Sequence, residues 1–281
     1  MLLVFGGFLV LMAYVSGVRA QGFMPPQMAA AYNTAQDLVG DLGGMPVRID
    51  RHIVRLVEYD GDPGWGEKRK GPPPERTHAS RLKSFGFYVR YPDMRSLNEP
   101  EMREDYERYH PIMKPMEYGL RDKEPWLDGG IQSGSSYPGH GFLDRLYAAL
   151  LDPTQQAVDE KFVPEPTPIK GLDLFVASGI DPRTGIPWRY ESIWTDRYVH
   201  RDRQGKVITY IRCSYRRNRT PTSCTQEWSM ESNGLSMVVE VRYRHGLLPQ
   251  WQDIQAKVSQ FILDFKDPTV TASAPAAQPQ R

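Results

Sequence analysis

Charge is missing from the start of this chain and cysteine is nearly missing from the rest. No charged side chain occurs in residues 1–18, and the 281 residues hold 2 cysteines, Cys213 and Cys224. There is no CxxC pair, no G-x-S-x-G and no H-x-x-x-H, and the six histidines are scattered. The usual patterns of a zinc site and of a nucleophile elbow are therefore absent. A basic surplus is missing too. Lys+Arg number 35 against 34 acidic residues, and losing Arg19 with a leader peptide would balance them. That balance argues against nucleic acid as the main partner.

What stands at the N-terminus is an uncharged apolar run ending in Val18-Arg19-Ala20, with small residues where a signal peptidase reads. It predicts a secretory signal over residues 1–20, cleaved between Ala20 and Gln21. The run is also long enough for a marginal membrane anchor, and a buried core helix is the third alternative. With a signal or an anchor, the folded part faces an oxidising compartment. No cysteine lies near the exit site, so lipoprotein-type attachment is not expected.

Cys213 and Cys224 flank a polar, turn-rich segment between two strand-like runs. A disulfide would staple the base of a long hairpin, as exported proteins readily do. Two buried thiols or a metal pair are the alternatives.

The 24 prolines, 24 glycines and 15 tyrosines favour strands and turns over a helical bundle. Two halves are expected, 21–162 and 163–268, with the proline-rich Val163–Ile169 as the boundary. A tail, 269–281, is biased to Ala, Pro and Gln and reads as disordered. The first half holds a short helix around Met28–Leu42 and strands over Val47–Tyr59, Arg81–Tyr91 and Trp126–Gln132. A charged helix starts near Pro100, and Phe142–Leu151 forms an apolar-striped helix. The second half holds a strand at Leu172–Ala177 and a hairpin around Asp202–Gly205. A second hairpin turns at Asn233-Gly234, a dipeptide suited to a type I′ turn. Along the last strand, Leu235, Met237, Val239, Val241 and Tyr243 share one face, which fits a sheet with one wet side. Pro249 opens a helix whose Trp251, Ile254, Val258, Phe261, Ile262 and Phe265 follow helical spacing. Packing on the sheet is the expected use, against a membrane-surface alternative. The fold class is α+β: mainly an antiparallel meander with a C-terminal amphipathic helix packed on it.

Catalytic groupings are weak. Ser133-Gly134-Ser135-Ser136 with His140 would supply a serine nucleophile, but a Gly-Ser turn is the expected use of this run. His200-Arg201-Asp202 matches a kinase loop by three letters alone. Glu99, Glu101, Glu104, Asp105 and Glu107 would pair as acid and base or bind calcium, against a solvated charged face. No cofactor or metal is expected. Recognition suits the residues better: Arg212, Tyr215, Arg216, Arg217 and Arg219 cluster at the cysteine hairpin, and Trp65 sits beside Lys68, Arg69 and Lys70. Arg and aromatic side chains are favoured interface anchors, and a closed loop loses less entropy on binding.

Longer runs carry a family resemblance. They are Met45-Pro46-Val47, Val57-Glu58-Tyr59-Asp60-Gly61-Asp62-Pro63, Arg76-Thr77, Ser84-Phe85-Gly86-Phe87 and Tyr91-Pro92-Asp93-Met94. In the second half, Tyr210-Ile211-Arg212-Cys213, Cys224 and Gly246-Leu247-Leu248-Pro249-Gln250-Trp251 extend them. Together they resemble exported immunity proteins of bacterial type VI secretion, of the kind that neutralises lipase (phospholipase) effectors. The likeness spans most of residues 45–265. It implies a periplasmic, non-catalytic protein whose partner is a cognate lipase-type toxin. Similar proteins are often lipoproteins, and this chain departs from them in having no N-terminal cysteine. An envelope hydrolase, or an adaptor that loads an effector onto the secretion machine, is the alternative.

Overall fold

Short apolar runs punctuated by glycine and proline set the strands. The computed structural model describes residues 37–64, 67–110, 123–152, 154, 161–191, 196–215 and 221–270. Leu38–Leu42 (β1) and Met45–Ile49 (β2) form an antiparallel hairpin around Gly43-Gly44. Gly43 has a φ of 61°, and a Cβ there would sit 2.7 Å from the Ser236 carbonyl oxygen, so this turn requires glycine. The helix expected over 28–42 is thus corrected at its described end. Gly40 and Leu42 are buried two residues apart, as a pleat demands, while residues 28–36 lie outside the described residues.

The continuous strand expected over 47–59 is two strands, β2 and Val54–Tyr59 (β3). Asp50 breaks it, because its carboxylate accepts the His52 N–H at 2.8 Å and its carbonyl accepts that of Ile53 at 3.0 Å. Leu82–Arg90 (β4), Arg95–Ser96 (β5), Pro100–Tyr109 (α1), Trp126–Gln132 (β6) and Phe142–Leu151 (α2) follow. Then come Lys161–Glu165 (β7), Asp173–Ser178 (β8), Trp188–Glu191 (α3), Asp196–Arg201 (β9) and Val207–Tyr215 (β10). Pro221–Ser229 (β11), Val238–Arg244 (β12) and Trp251–Leu263 (α4) complete the order. At Asn233-Gly234 the turn is a 3-10 segment, Glu231–Asn233, closed by Gly234 at φ 75°, instead of the expected two-residue turn.

Ten strands make one antiparallel sheet, β3-β4-β6-β12-β11-β10-β9-β8-β7, with β5 on β4. β6 pairs with β12, so both halves of the chain join in one sheet. The boundary placed at 162/163 falls inside β7, and Asp37 onward clusters as a single unit.

Period-two alternation gives the sheet an inner and an outer face. Phe85, Phe87 and Val89 of β4, with Val239, Val241 and Tyr243 of β12, point inward and are buried. The helix α4 covers them with Ile254, Val258 and Ile262, which are fully buried. Ring pairs Phe87–Phe261 at 5.4 Å and Phe85–Phe265 at 6.2 Å lock the contact. Each such buried side chain contributes about 1.5–3 kcal/mol. A polar seam threads this core. Gln226 donates to the Trp251 carbonyl and to Gln255, both at 3.1 Å, and accepts from the Tyr243 hydroxyl at 2.8 Å. The outer face is not wholly wet. At β8 to β10, Leu143 and Leu150 of α2 bury against Phe175, Val199 and Tyr210.

Candidate functional site

The two cysteines stand directly opposite one another on β10 and β11, joined in a disulfide and wholly buried. Above them the register shifts before Tyr215 pairs with Pro221. Arg216, Arg217 and Arg219, and also Trp65, lie outside the described residues, as do Ala20 and Gln21.

The two described recognition candidates go to opposite faces. Tyr215 turns inward, with its hydroxyl 3.1 Å from Nε2 of His245. Burial pushes the Tyr215 hydroxyl above the ordinary tyrosine range. Burial also pulls His245 below the ordinary histidine range, with Asp196 opposing it. Tyr215 therefore anchors the base of the hairpin.

Arg212 turns outward. Its Nη2 lies 3.1 Å from Glu227 and 3.4 Å from Glu240, which face each other across β11 and β12. Glu227 is 8% exposed, and burial raises its pKa to about 7; Arg212 opposes that rise and Glu240 adds to it. Beside this cluster runs a groove of about 310 Å³ lined by Leu56, Gly86, Gly130, Val238 and the two glutamates. Glu227, Glu240 and Leu56 were not among the residues expected from sequence. The alternation along Leu235–Arg244 assigned Glu240 to the polar face, but its opposition to Glu227 depends on the register. A second cavity, of about 300 Å³, lies over Trp126 and Tyr106, where His110 and Arg244 both hold the buried Glu124.

The groupings with catalytic overtones take structural partners. The Ser135 N–H donates to Asp60 at 2.9 Å, whereas His140 stacks edge-on with Tyr137 and faces Glu231 at 3.5 Å. Glu99 and Glu101 pair with Arg95, and Asp105 faces Arg90. His200 reaches the Gly171 carbonyl at 2.7 Å. Cys213, Cys224 and His245 lie within 4.8 Å of one another, yet sulfurs bonded to each other offer no thiolate to a metal. Among the described residues, no helix is long and apolar enough to cross a membrane.

No protein-family model and no curated protein matches the chain. Two solved structures are similar to it. One is an immunity protein of the Stenotrophomonas maltophilia type IV secretion system, at 14% identity and a TM-score of 0.45. The other is the iron-regulated outer membrane lipoprotein FrpD of Neisseria meningitidis, at 9% identity and a TM-score of 0.41. Each match covers 82% of this chain and 92% of the other.

Proposed function

We propose that the chain is an exported, non-catalytic immunity protein that binds a cognate secreted toxin, a lipase-type effector of type VI secretion, in the periplasm. The observation that carries the reading is the disulfide-closed hairpin. Both sulfurs are buried in the sheet, Tyr215 is tied inward to His245, and the segment beyond the bond carries Arg216, Arg217 and Arg219 by sequence. A fixed base next to an arginine-rich segment suits stoichiometric recognition, because less order must be imposed on binding. The sequence resemblance over residues 45–265 supplies the toxin class, and the buried disulfide fits an oxidising compartment.

The test is capture from the periplasm of the native host with the tagged full chain, followed by a lipase assay on any captured protein. One stoichiometric lipase whose activity and toxicity fall on addition of this chain is the expected result. Capture of no lipase, or a captured lipase that stays fully active, refutes the reading.

A further inference from the structure

The groove on the open face of the sheet joins three features that no fold requirement explains. The first is charge. Glu227 and Glu240 stand directly opposite across β11 and β12, an arrangement that repels, and Arg212 is the cation placed between them. The third carboxylate of the groove, Glu58, is matched by Lys83 at 3.0 Å. The Glu227–Glu240 pair thus shares a single cation among the described residues. Glu227 is more than nine-tenths buried. Its Oε2 is near Arg212 but outside hydrogen-bond geometry, and it has no hydrogen-bond donor. A buried carboxylate oxygen without a hydrogen-bond donor is satisfied most strongly by a charged one.

The second feature is space. Gly86 and Gly130 face each other in register on β4 and β6. A Cβ on Gly130 would meet nothing closer than the Phe85 carbonyl oxygen at 3.9 Å, so the trough beside the glutamates is open.

The third is an exposed apolar rim. Leu56 is 70% exposed and sits at φ 50°, a backbone region that a leucine rarely adopts, within a shifted stretch of edge strand β3. Bulged strands re-aim side chains, and this one leaves Leu56 at the rim of the groove. An aliphatic rim leading to buried carboxylates matches a side chain with an apolar stem and a charged head.

We propose that this groove is a docking site for a lysine or arginine side chain of a protein partner, its stem along Leu56 and its head against Glu227 and Glu240. Naming that partner as the toxin rests on the immunity reading. The groove chemistry does not.

A displayed library of random peptides, panned on the immobilised full chain with Gly130→Val as the counter-selecting protein, tests it. Circular dichroism checks that Gly130→Val is folded; if it is not, Glu227→Gln, which keeps the shape and removes the charge, takes its place. Surviving peptides are expected to share one Lys or Arg. Exchanging that residue for norleucine, or Glu227 for Gln, is expected to weaken binding about tenfold or more, as for a hydrogen bond between charged groups. Peptides that bind both proteins alike, peptides without a shared basic residue, or no discriminating peptide at all would overturn the proposal. Those outcomes leave the immunity reading to the lipase assay, and a failed lipase assay leaves the groove to the panning.

Discussion

Glu227 and Glu240 face each other across two neighbouring strands with the guanidinium of Arg212 set against both. Two carboxylates thus share one cation on a half-covered face. Of the two, Glu227 is the more buried.

Its titration gives the first prediction. The folded state holds the Glu227 proton up to about pH 7, whereas the unfolded chain releases it near 4.5. The contribution of this group to stability is therefore full below pH 4.5 and is lost as pH rises through 7. Glu227→Gln is expected to remove that component and to stabilise the protein at pH 8 by roughly 1–3 kcal/mol relative to wild type. Urea denaturation of both proteins at pH 5 and pH 8 measures it. An unchanged difference between the two pH values would show that Glu227 titrates normally.

The disulfide closes a loop with a separation of 11 residues. Replacing both cysteines with alanine is expected to cost about 3 kcal/mol by the chain-entropy relation, which guanidinium denaturation reads directly. Reductant should reproduce the loss slowly, since both sulfurs are buried.

Adjacent glycines in β6 should behave oppositely. A Cβ on Gly129 would fall 2.1 Å from the buried Phe87 ring, which itself packs on Phe261. Gly129→Ala is expected to destabilise by about 1–3 kcal/mol or more through overpacking. Gly130 faces the groove, and Gly130→Ala should be neutral or stabilising by about 0.4–1 kcal/mol. Thermal unfolding of the pair checks both signs at once.

Gln226 is fully buried and satisfies three partners. Gln226→Met keeps the volume but strands the Tyr243 hydroxyl. A loss of about 1–3 kcal/mol is expected, and Tyr243→Phe in the same background should recover part of it. A double-mutant cycle by chemical denaturation separates the two contributions.

Much of the local structure is legible in the residues. Trp126–Gln132 and Phe142–Leu151 match the elements expected, and Pro100 marks the start of α1. Val239, Val241 and Tyr243 bury together as their alternation requires, whereas Leu235 and Met237 are buried ahead of β12, which begins only at Val238. Periodicity over a few residues reports which way a side chain points, and it did so here. It failed where one side chain redirected the backbone, as Asp50 does between β2 and β3. It also failed at Leu38–Leu42, where a short apolar run suits either helix or strand.

The candidate site divides the same way. That Cys213 and Cys224 close a hairpin was readable from two cysteines flanking a polar turn. Arg212 and Tyr215, three residues apart on β10, part to opposite faces by the pleat alone, whereas the meeting of Glu227 with Glu240 follows from pairing between β11 and β12. The sequence by itself determined strands such as Trp126–Gln132, the amphipathic final helix and the charge balance, and it set the two cysteines on either side of a turn, because each depends on neighbours within a few residues. Only the tertiary structure decided that β6 joins β12, that α2 covers part of the outer face, and that a groove with two carboxylates sharing one cation lies open beside it. Those depend on which strands lie side by side, and a period-two pattern carries no record of its neighbour.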